Sequence, residues 1–177
     1  MSLVQWSLLV GLLATASGYD IATRRIPNWL ICVALLGALT CSANGAIGLD
    51  FTASLLGVIA GLAVLFPFFV LGVMGAGDVK LLGAVGALLG PIAVLGAALL
   101  ALAAGGLLSI LVALGSHSLS RVLANLRLML FVVASGKSSG VSVRDINTTG
   151  RLPYAVAISA GTALQLWLAA SGGWPFA

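Results

Sequence analysis

Between Val79 and Leu114 a single charge, Lys80, interrupts thirty-six residues of apolar chain. That run is too long for one membrane crossing, which needs about 20 apolar residues. Gly90-Pro91 divides it, because a proline removes a helical hydrogen bond and clashes with the preceding turn. The rest of the chain has the same character: 61% of its 177 residues are hydrophobic and 7% are charged. A soluble domain of this size carries far more charge on its surface. The sequence therefore predicts an all-α, polytopic membrane helix bundle. Six segments have the required character: Leu3–Gly18, Trp29–Ala43, Phe51–Val73, Val79–Leu89, Ile92–Leu114 and Tyr154–Ala170. The second and fourth are short, and their ends are expected to run into Pro27 and Gly75.

The charges test this division. Arg24 and Arg25 fall in the first loop, Lys80 at the third, and Arg121, Arg127, Lys137, Arg144 and Arg151 in the fifth. The even loops, around Asn44–Asp50 and Gly90-Pro91, have no Lys or Arg. By the positive-inside rule the odd loops are cytoplasmic and both termini lie outside. Five spans would put the most basic loop on the wrong side. In a water-soluble chain the surplus of +4 would suggest nucleic acid. Here it points to anionic lipid, and no nucleic-acid-binding pattern is visible. "MSLVQW" lacks the basic start of a secretory signal, so the first helix is expected to be retained.

The Gly57-x-x-x-Gly61 and Gly86-x-x-x-Gly90 pairs supply small faces for close helix contact. Trp6, Tyr19, Trp29, Tyr154, Trp167 and Trp174 fall near segment ends, where amphipathic rings anchor at the interface. The loop of residues 115–152 is the one sizeable polar piece of a single-domain chain. Its Leu119, Val122, Leu123, Leu126 and Leu130 have helical spacing between Arg121 and Arg127, which predicts an amphipathic helix on the cytoplasmic surface. His117, the sole histidine, reads as a surface residue. Cys32 and Cys41 form no CxxC pair and read as packing residues. No metal or cofactor is expected.

The chain contains no glutamate and four aspartates: Asp20, Asp50, Asp78 and Asp145. The topology puts Asp20 and Asp78 at the same cytoplasmic depth, Asp50 on the opposite side and Asp145 in the polar loop. A carboxylate at the edge of hydrocarbon is costly and tends to mark function. A purely structural account is also available, with Asp20 paired to Arg24 and Asp78 to Lys80 or to headgroups. The flanks favour a site. Gly75 and Gly77 precede Asp78 and remove side chains where another backbone could approach. Pro27, before Asn28, suits the first turn of the second helix. Two neighbouring carboxylates cannot both ionise easily, so such a pair holds one proton. The ionised member draws a proton from water while the protonated one polarises a carbonyl, which is general acid–base hydrolysis.

"YDIATRRIPNWL" followed by "GAGDVKLLGAVGALLG" resembles the prepilin peptidases, aspartic proteases of the GxGD type. "RLPYAVAIS" also resembles a family feature near Pro153. The resemblance implies six helices around a cytoplasm-facing site in the bacterial inner membrane. It implies Asp20 and Asp78 as catalytic acids, with Gly75 and Gly77 as the flexible approach to the second. The implied substrates are prepilin or pseudopilin precursors, which lose a short basic leader. The larger members carry an N-terminal domain with paired CxxC motifs that also methylates the product. This chain resembles the short TadV/CpaA branch, which processes Flp-type pilins, and methyl transfer is not expected. Lys80 reads either as a cation tuning the pair or as a snorkelling anchor. Two other functions compete: a small proton-coupled carrier using the same aspartates, and an assembly subunit without chemistry. Carriers usually show internal repeats and broken helices, and no clear repeat is visible.

Overall fold

The computed structural model describes residues 1–72, 74–115, 153–172 and 175–176, and everything described is helix, turn or connecting segment. The helices are α1 (Leu3–Thr23), α2 (Asn28–Ala43), α3 (Phe51–Val70), α4 (Ala76–Leu89), α5 (Pro91–Gly115) and α6 (Tyr154–Ala170). Met1–Gly105 and Pro153–Ala177 form one compact unit; Gly106–Leu152 group as another, of which residues 106–115 are described. The expected amphipathic helix, His117, Asp145 and Trp174 lie outside the described residues.

α1 begins at Ser2, whose Oγ accepts the Gln5 N–H at 3.2 Å. It continues five residues past the Gly18 boundary that hydropathy suggests. Nothing breaks it until Arg24 turns left-handed (φ 54°), and Pro27 then bars Ile26 from helical geometry. Gln5, Leu9, Leu12, Ala16 and Asp20 form its buried stripe, at the spacing of one helical face. α3 stops at Val70, short of the expected Val73, because Gly72 takes φ 73° and ends the helix as a left-handed cap. α2 and α4 start directly after Pro27 and Gly75.

α4 is the centre, packing against α3, α2, α6 and α1. Apart from Lys80, every residue from Val79 to Leu89 is buried. Its closest neighbour is α3, which it meets through bare backbone: a Cβ on Gly57 would strike the Gly86 carbonyl, and one on Gly86 the Gly57 carbonyl. The small faces read from the sequence thus meet at Gly57 and Gly86, while Gly61 packs on Leu82 and Gly83. At its far end α4 meets Pro91, which has no N–H to offer the Ala87 carbonyl. Two other helices supply donors instead. Ser54 Oγ of α3 donates to the Ala87 carbonyl at 2.6 Å, and Gln5 Nε2 of α1 donates to that of Leu88. Ser54→Ala orphans a buried carbonyl and should destabilise the fold by about 1–3 kcal/mol, read as a lower unfolding midpoint in detergent.

The outer surface is apolar. Leu55, Leu56, Ile59, Phe66 and Phe69 of α3 are all more than two-fifths exposed. Among the described residues two helices are long and apolar enough to cross a membrane: Phe51–Val70, of mean hydropathy 2.4, and Pro91–Val112, of 2.3. α2 and α6 are shorter apolar helices. Trp6, Tyr19, Trp29 and Trp167 are exposed, and the Tyr19 and Trp29 rings meet edge-on at 6.4 Å across the α1–α2 turn. Tyr154 departs from the anchoring role expected of it: it is half-buried, its ring lying where a Gly105 side chain would be. Cys32 corrects the packing reading too, since it faces outward, whereas Cys41 is half-buried.

Candidate active site

The stripe that packs α1 into the bundle ends on a carboxylate. Because α1 runs on to Thr23, Asp20 stays in register with Ala16 and points inward, 5% exposed. A buried carboxylate needs donors, and α6 supplies one: the Ala155 N–H donates to Asp20 Oδ2 at 2.8 Å. One turn along, Ser17 and Ser159 hydroxyls meet at 2.8 Å, so α1 and α6 are joined by polar contacts there.

Asp78 is the third residue of α4 and follows the N-cap Gly75 by one turn. Its carboxylate folds back to accept the Gly75 N–H. This is half of a capping box, and the start of a helix favours negative charge. Asp78 is half-buried and within electrostatic reach of Asp20. Tyr154 is within reach of Asp78. Two aspartates fifty-eight positions apart thus share one end of the bundle with the start of α6. Asp50 is the exposed N-cap residue of α3, at the opposite end, where Ser2 Oγ bonds the Ala46 carbonyl at 3.0 Å.

The two motifs also touch each other. A Cβ on Gly77 would stand 3.3 Å from the Ile26 side chain, and Lys80 Nζ donates to Asn28 Oδ1 at 3.2 Å. The glycines also have a local use. The space at Gly77 is occupied by Ile26, held extended before Pro27, and a Cβ on Gly75 would stand 3.2 Å from Asp78 Oδ2. Both absences let the turn close on its own residues. Pro27 sits at the N-cap of α2 rather than in its first turn, with φ −68° and ψ 134°. Lys80 and Asn28 also line a cavity of about 250 Å³, together with Ile31, Leu35, Val58 and Leu62. No three His, Cys, Asp or Glu side chains converge among the described residues.

The contribution of α6 is what sequence reasoning missed. "RLPYAVAIS" drew attention to Pro153, yet the contacting atoms belong to the next two residues, and one is a backbone amide. The available signal was Pro153 itself, which marks a helix start whose first amides lack partners.

The family model of the type IV leader peptidases matches residues 7–110 of the chain. No curated protein and no solved structure matches it.

Proposed function

Because the chain belongs to the type IV leader peptidase family, we propose that Asp20 and Asp78 are its catalytic pair. In this reading it removes the basic leader from type IV prepilins or pilin-like precursors, Flp-type ones first among them. The chain is an integral membrane protein and a peptidase, and its family processes prepilin-type substrates. The site is proposed to open on the cytoplasmic face of the bacterial inner membrane. Charge parity supports that orientation, with six spans and both termini outside. The observation that carries the reading is the approach of a buried Asp20 to Asp78 at one end of the bundle.

The chemistry follows from two carboxyls sharing one proton. The ionised one takes a proton from water, and the water oxygen attacks the scissile carbonyl carbon. The protonated one gives its hydrogen bond, then its proton, to the carbonyl oxygen. Collapse of the tetrahedral intermediate returns a proton to the departing amine, leaving one acid and one new amino terminus. Since one carboxyl must be charged and the other protonated, cleavage rate against pH should be bell-shaped, with limbs that belong to the pair. Lys80 and Asn28 act as supports that fix the start of α4 against α2. Lys80→Ala should lower the rate roughly ten- to a hundredfold, because small misplacements of reacting groups are costly.

Co-expression with a pilin-like precursor, in a host lacking its own prepilin peptidase, tests the reading. Gel mobility and mass spectrometry should show loss of the leader with the wild type and none with Asp20→Asn or Asp78→Asn. Equal processing by all three would remove both aspartates from the mechanism.

A further inference from the structure

Two sides of the aspartate pair come from α1 and α4. A third side comes from α6, beyond the residues 7–110 that the family model covers. Ala155 is fully buried and is the second residue of α6, so its N–H has no carbonyl partner inside the helix. It is given to Asp20 Oδ2 at 2.8 Å. The helix end that carries it is fixed on both flanks. Toward α5, the Tyr154 ring fills the place left by Gly105, and its hydroxyl donates to the Ala101 carbonyl at 3.4 Å. Toward α1, Ser159 meets Ser17 at 2.8 Å.

We propose that the amino end of α6 is a positioning element for the catalytic pair: the Ala155 amide holds Asp20 by one oxygen and leaves the other free for water and Asp78. The proposal rests on Asp20 and Asp78 being that pair. The physical need is clear from the side chain. The terminal torsion of an aspartate is broad, and a carboxylate that rotates presents its lone pairs to water only part of the time. One fixed donor removes that freedom. The donor has to be rigid, and a backbone amide anchored by its neighbour's ring is more rigid than a side chain.

The test uses the purified full-length protein and a fluorogenic peptide spanning a prepilin cleavage site. Ala155→Pro deletes the N–H in the first helical turn, where proline is tolerated; Ala155→Gly keeps it. The expected result is a fall in kcat of about a hundredfold for Ala155→Pro, with KM changed less than about twofold. Ala155→Gly should keep a kcat near that of the wild type. A second measurement needs no turnover: amide hydrogen exchange at the start of α6. Asp20→Asn keeps an acceptor for the Ala155 N–H and should stay protected, whereas Asp20→Ala should exchange faster there. Wild-type kcat in Ala155→Pro, or unchanged exchange in Asp20→Ala, would overturn the positioning role. Full turnover by Asp20→Asn would instead overturn the catalytic reading beneath it, whatever Ala155→Pro does.

Discussion

Asp78→Asn should yield a chain that inserts and folds normally and cleaves its precursor at least about a thousandfold more slowly. The estimate follows from the usual contribution of general acid–base groups, ~10²–10⁴ in rate. In a pair that acts as a unit, losing either member forfeits most of it. The fold should survive because asparagine has the same shape, and its oxygen still accepts the Gly75 N–H that Asp78 now takes. Asp20→Asn should behave in the same way, since its oxygen still accepts the Ala155 amide. Asp20→Ala should differ, losing activity and loosening the start of α6 as well, because it leaves the buried Ala155 amide unpaired. Asp50→Asn is the control: an exposed residue at the start of α3, expected to cleave at the wild-type rate. A time course by mass spectrometry, with the detergent-solubilised yield of each variant, separates lost chemistry from lost protein.

Gly86→Leu should have the largest effect on stability, about 3 kcal/mol or more. Overpacking a core usually costs ~1–3 kcal/mol because side chains can shift. Here the obstacle is the carbonyl of Gly57, which belongs to a helix backbone. No rotamer relieves that clash, so α3 and α4 must separate along their whole contact. Lipid provides no hydrophobic force to bring them back, since association inside a bilayer depends on close packing. Gly11→Leu is the matched control, for a Cβ there meets nothing within 4 Å. Unfolding midpoints in detergent, measured for both variants and the wild type, should drop sharply for one and little for the other. A Gly86→Leu midpoint equal to the wild type would mean that the α3–α4 approach is looser than described.

Much of this was legible in the sequence because it depends on local rules. Gly90-Pro91 split the long apolar run where the chain does turn, and Pro27 and Gly75 marked the starts of α2 and α4. The position of Asp20 and Asp78 at a common end followed from counting spans and charges, with Asp50 at the other. What could not be read depends on contacts between distant segments. Hydropathy ended α1 at Gly18, since Asp20 interrupts the apolar run, but a helix needs no unbroken apolar run to continue, only the absence of a breaker. Ile26 carries no chemical signal, yet it explains the glycine at position 77. Tyr154 looked like an interface ring because its burial is decided by a glycine on another helix. The Ala155 amide is invisible in principle, as every non-proline residue has one.

α4 has fourteen residues, about 21 Å of helix at ~1.5 Å per residue, against a hydrocarbon thickness of about 30 Å. Its neighbours bury every residue from Val79 to Leu89 except Lys80, so the shortfall leaves most of it shielded from lipid. The consequence concerns the shape of the water boundary. In the six-span arrangement proposed above, that boundary dips around Asp78 below the level at which it meets the longer helices. A precursor whose scissile bond lies close to its apolar segment could then be cut with that segment still embedded, because the water comes down to the bond.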